Sequence, residues 1–142
     1  MLIAIISGAL MSIQGVFNTQ VTKAAGIWVG NAWVQISAFV CCLLLWFING
    51  RDRVTALFET TPSYSLLGGV IGAGITWTVI KSIEAVGPAK ASFFIVLTQL
   101  SVSYLIEIMG MFGVDKQPLE WKKVLGLGIA LAGIGVFSSN SI

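Results

Sequence analysis

Three series of polar side chains recur at helical spacing inside apolar runs. Gln14, Asn18 and Thr22 follow one another at i, i+4, Asn31 and Gln35 repeat the step, and Gln99, Ser103 and Glu107 form the third series. Residues four apart share one face of a helix, so each series reads as a polar stripe. An amide side chain both donates and accepts hydrogen bonds, which suits a neutral or amphoteric polar solute. Glu107 adds a charge for cation recognition or proton exchange, because an apolar setting makes a carboxylate easier to protonate. Other chemistries have no foothold. The chain has no histidine, and its two cysteines, Cys41 and Cys42, are adjacent within an apolar run. That arrangement supports neither a disulfide framework nor a zinc site. No hydrolytic, redox, metal-binding or phosphate-binding motif is present, so no enzymatic activity, cofactor or metal is expected.

The elements that carry these stripes must lie in a membrane. Of the 142 residues 56% are hydrophobic and 10% charged, whereas soluble domains are about a quarter charged. The net charge of +2 is too small to suggest nucleic acid. A bilayer core of ~30 Å needs ~20 apolar residues per helix. Five stretches qualify, at about 2–22, 27–48, 66–86, 89–112 and 122–138. Backbone groups in lipid must be satisfied internally, and barrel strands would be shorter and alternating, so only helices fit. The expected fold is all-α, a single polytopic transmembrane domain over residues 1–142. The first stretch lacks a basic start and an A-x-A-type cleavage site, so it reads as a retained helix and not a signal peptide.

Each feature also has a plainer reading. Gln14 and Asn18 line a cavity or simply glue helices together, a role polar groups in membranes often fill. Gly8 and Gly15 allow close helix approach. Gly68 and Gly72 form a G-x-x-x-G pair, and Gly126, Gly128, Gly133 and Gly135 make the last stretch a packing or dimer surface. Trp28, Trp33 and Trp46 fall near stretch ends and read as interface anchors. Trp77 lies near the centre of its stretch, either packing or offering its ring face to a cation. Lys81 is spaced to pair with Glu84 at i, i+3, and it either snorkels to the nearer interface or has a substrate role. The loop 49–64 carries Arg51, Asp52, Arg53 and Glu59 as a solvated face.

Five crossings put the termini on opposite sides. Arg51, Arg53, Lys116, Lys122 and Lys123 then share the amino-terminal face, against Lys23, Lys81 and Lys90 on the other. This weak bias mildly favours a cytoplasmic amino terminus and is close enough to balance for insertion both ways.

The segments GALMSIQGVFNTQV, GNAWVQ, GPAKASFFIVLTQLSVSYLIEIMGMFGV and GLGIALAGIGVF resemble the YdcZ-type family of small bacterial inner-membrane proteins, in the drug/metabolite transporter superfamily. The likeness covers nearly the whole chain. Its specific parts are Gln14 with Asn18, Asn31, and Gln99 followed eight residues later by Glu107. The resemblance implies a five-helix unit in the inner membrane that pairs in opposite orientations, as a homodimer or with a homologous subunit. Related four-helix small multidrug resistance transporters carry a glutamate in the first helix. Here that helix offers Gln14, so their proton-coupling chemistry does not transfer to it.

The expectation is a secondary transporter of a small polar or cationic solute, working by alternating access. Two inverted subunits would share a central site, because such transporters commonly need two halves related by inversion. The binding residues would be Gln14, Asn18, Asn31, Gln35, Trp77, Gln99 and Ser103, with Glu107 as gate or proton site. Gln99 falls near mid-membrane and Glu107 ~10 Å to the amino-terminal side at 1.5 Å per residue. In an inverted pair Glu107 reaches the level of the partner's Asn18 and Asn31. The alternatives are a passive channel or a non-transporting subunit of a larger complex.

Overall fold

Unbroken apolar sequence and the absence of interior prolines make long helices, and glycines end them. The structure is a computed structural model that describes residues 1–139. Its helices are α1 (Leu2–Ala25), α2 (Ile27–Ile48), α3 (Gly68–Val86), α4 (Pro88–Met109) and α5 (Trp121–Ser139), with two 3₁₀ turns, Val54–Glu59 and Ser63–Leu67, between α2 and α3. Among the described residues there is no strand. Four helical stretches have the length and apolarity of a membrane span: Leu2–Ala25, Ile27–Ile48, Ser63–Val86 and Pro88–Met109. α5, which opens on Trp121, Lys122 and Lys123, is the fifth helix.

Two expected helix ends move. α1 continues three residues past 22, so the turn into α2 is Gly26 alone, at φ 86°. Its N–H bonds Thr22 O at 2.8 Å and its carbonyl accepts from Gly30 N at 2.9 Å. A side chain at positive φ would be strained, so glycine permits this one-residue junction. α4 stops at Met109 and not at 112. Gly110 takes the left-handed conformation at φ 66° and both Gly110 N and Met111 N bond Ile106 O, a glycine-capped helix end.

The chain forms two units, Met1–Ala85 and Val86–Ile142. In the first, α1 and α2 make a hairpin whose closest approach is at Gly30. A Cβ there would meet Thr22 Oγ1 at 2.7 Å and Thr22 Cα and N at 3.3 Å. α3 reaches α1 at Gly15, where a Cβ would meet Ile83 Cδ1 at 2.9 Å. In the second unit, α4 packs on α5 through stacked rings of Phe93 and Phe137, 5.2 Å between centroids.

The glycine expectations sort unevenly. Gly15 is a close-approach position, but Gly8 is not. Gly68, Gly72, Gly126, Gly128, Gly133 and Gly135 all face open space, with nothing within 4 Å of a built Cβ. The G-x-x-x-G pair is thus unused within the described chain. Gly30, four residues after Gly26, carries the tightest of the glycine contacts.

Candidate functional site

The amides expected to line a site fall into two groups. Asn31 is buried on α2, and its Nδ2 donates to Ala73 O on α3 at 3.0 Å. Gln35, one turn on, donates from Nε2 to Thr76 Oγ1 at 3.2 Å and to Asn31 Oδ1 at 3.4 Å. Thr76 in turn donates to Gly72 O at 3.0 Å. Asn31 and Gln35 therefore fasten α2 to α3, and Thr76 is a partner the sequence reading missed. A threonine near mid-helix bonding its own i−4 carbonyl carries no sequence signal that a second donor will find it.

Gln14, Gln99 and Ser103 form the second group. They are exposed, and Asn18 is half-buried. None of the four side chains makes a hydrogen bond among the described residues. Trp77, the neighbour of Thr76 in the chain, is also exposed. On α1 the polar stripe continues to Thr22, which is buried, and its Oγ1 has no hydrogen-bond partner among the described residues. It lies 2.7 Å from where a Gly30 Cβ would be. Thr19, on the same side, instead returns its hydroxyl to Gly15 O at 2.8 Å.

In the second unit, Glu107 is half-exposed and not buried as its place in α4 suggests. Its Oε2 lies 3.8 Å from Lys123 Nζ, which is 3.3 Å from Glu120 Oε1 and 5.5 Å from the Tyr104 ring centroid. The backbone around these groups is fixed. Tyr104 is buried, its hydroxyl donates to Glu120 O at 3.1 Å and accepts from Glu120 N at 2.8 Å, and Gln117 N bonds Glu107 O at 2.8 Å. The connector between α4 and α5 is thereby tied back onto α4. The ion pairs are exposed and contribute little stability on their own. The sequence gives α5 two lysines but no sign of which one meets Glu107, 16 positions away. The local pair is another matter. Lys81 Nζ lies 3.0 Å from Glu84 Oε2, as the i, i+3 spacing predicts. Among the described residues no group of histidine, cysteine or acidic side chains could hold a metal ion, and both cysteines are free.

Long apolar helices of this length define a polytopic helical membrane protein. The chain belongs to the YdcZ family: the model for the family described as "Putative inner membrane exporter, YdcZ" matches residues 1–136. Neither a curated protein nor a solved structure matches the chain. The protein is a multi-pass inner-membrane protein of a transporter family.

Proposed function

We propose that the protein is a non-enzymatic secondary transporter that moves a small polar or cationic solute by alternating access, with two oppositely oriented subunits sharing one site. The observation that carries this reading is the set of open amides. Gln14 and Gln99 lie on span-length helices, exposed and without hydrogen-bond partners among the described residues. Lipid offers an amide nothing to bond, and polar groups at membrane depth face a bundle interior or a watered cavity. A second subunit supplies both. Inversion supplies the symmetry that alternating access uses, and brings the partner's Glu107 to the depth of Asn18. In this reading Gln14, Asn18, Gln99 and Ser103 contact solute, and Trp77 offers an apolar wall. Asn31 and Gln35 hold α2 to α3. Glu107 gates the amino-terminal side and exchanges its Lys123 contact for a proton or a cation.

The test is a thermal-shift screen of purified protein against small metabolites and organic cations, followed by flux of the best hit into proteoliposomes. Saturable flux that Gln99→Leu and Gln14→Leu each reduce at least tenfold supports the reading. Undiminished flux in both variants overturns the site. A rate above about 10⁵ solutes per second is too fast for conformational cycling on the μs–ms scale and marks a channel. For Glu107→Gln, the coupling role predicts loss of pH-dependent uptake, and full retention removes Glu107 from it.

A further inference from the structure

The segment between α2 and α3 exposes apolar as well as charged side chains. It begins by folding back on α2. Trp46 Nε1 donates to Asp52 O at 2.9 Å, Arg51 N bonds Trp46 O at 3.1 Å, and the Arg51 guanidinium stands 5.0 Å over the Phe47 ring. Its far end runs directly into the span-length stretch Ser63–Val86. Both ends are therefore held at the membrane surface. Between them the 3₁₀ turn Val54–Glu59 has three residues per turn, which aligns Val54 with Leu57 and sets Phe58 beside them. All three side chains are exposed, Phe58 by 86%. Three large apolar side chains grouped on one turn outside the spans form a patch, and such patches mark contact with something apolar. The charges give little pull of their own. Two arginines, Arg51 and Arg53, face two acids, Asp52 and Glu59, and Arg53 lies 3.9 Å from Glu59.

We propose that residues 54–62 form an interfacial segment lying in the headgroup–acyl boundary. Val54, Leu57 and Phe58 are immersed, Arg53 and Glu59 stay in the headgroup layer, and the attachment is apolar, independent of anionic lipid. Short amphipathic segments bind this zone through their apolar face, and the segment's continuity with two spans makes the bilayer its neighbour. Because Trp46 ties the segment to α2, it also fixes how deep the amino-terminal-side ends of α2 and α3 sit.

The experiment is site-directed spin labelling of the full chain in proteoliposomes, with Cys41 and Cys42 replaced by Ala and single labels at Phe58→Cys, Leu57→Cys or Glu59→Cys. Labels at 57 and 58 are expected to be relaxed at least threefold more by lipid-soluble oxygen than by a water-soluble nickel chelate, with the order reversed at 59. The pattern should be the same in phosphatidylcholine vesicles with and without 30% phosphatidylglycerol. Nickel-dominated relaxation at both 57 and 58 overturns the proposal. So does shielding from both reagents with dipolar broadening between labels, which would place a second copy on the face. Immersion that requires phosphatidylglycerol overturns its apolar basis. Leu57→Cys keeps the test decisive if the label at 58 disturbs the turn.

Discussion

Side chains of one chemical type stand in two settings in this protein, and single substitutions should separate them. Asn31 is buried and bonded to α3, whereas Gln14 is exposed and unbonded. Asn31→Ala removes a hydrogen bond between α2 and α3. Such bonds in membranes contribute about 0.6–2 kcal/mol, so its melting temperature in detergent should fall. Gln14→Ala loses no bond and should stay within about 0.5 kcal/mol of the parent, as exposed substitutions usually do, while reducing transport. Equal losses of stability would refute the division. Gly30 is the sterner case. A methyl there meets Thr22 backbone atoms at 3.3 Å as well as Oγ1 at 2.7 Å, and backbone cannot rotate aside. Gly30→Ala should cost about 1–3 kcal/mol, the usual range for overpacking. Gly72→Ala, with nothing within 4 Å, should cost far less, and the comparison of unfolding midpoints checks both.

At the scale of elements, the sharpest construction is the clasp at the start of α5. The first N–H groups of a helix have no partners within it, and here the Tyr104 hydroxyl holds the backbone of Glu120, just before α5, from both sides. Tyr104→Phe keeps the ring and deletes two hydrogen bonds, each of about 1 kcal/mol. Amide hydrogen exchange should accelerate over residues 117–124 and stay unchanged in α2. Uniform acceleration would show that the clasp supports the whole fold and not this end alone. Gly110→Ala strains the same connector twice, through its φ of 66° and through Lys116 backbone atoms within 3.4 Å. Sequence made some of this legible and not the rest, for physical reasons. Helices could be read because crossing a bilayer demands apolar length, and Lys81 with Glu84 because three residues on a helix is a local distance. The end of α4 was written in Gly110, although hydrophobicity carried the reading on to 112. The α2–α3 bonds, the Thr22–Gly30 contact and the Lys123–Glu107 pair were not legible. Each depends on where separate helices meet, which no periodicity within one helix encodes. Small-residue spacing misled for the same reason: Gly68 and Gly72 offer a surface that nothing in the described chain takes up.

For the whole molecule, the open amides and the near-balanced charge bear on one question, which is how two copies insert. Arg51, Arg53, Lys116, Lys122 and Lys123 oppose Lys23, Lys81 and Lys90 across the bilayer if all five helices cross it. Acidic partners count little in the positive-inside rule, so the contact of Lys81 with Glu84 leaves that comparison as it stands. A margin this small should yield to two added charges. Thr55→Lys with Ser65→Lys strengthens the amino-terminal face, and Ala24→Lys with Ala89→Lys strengthens the other, all four at exposed positions. If the active form is an inverted pair, carboxy-terminal reporter fusions of the parent should report both sides of the membrane, and each variant should report only one. Each variant alone should then lose transport, because copies inserted the same way cannot place one subunit's Glu107 beside the other's Asn18. Expressing the two variants together should restore it. A parent that reports one side only, together with full activity of a variant locked in that orientation, would mean that the open amides meet water or a parallel neighbour. The shared site would then have to be rebuilt within copies of one orientation.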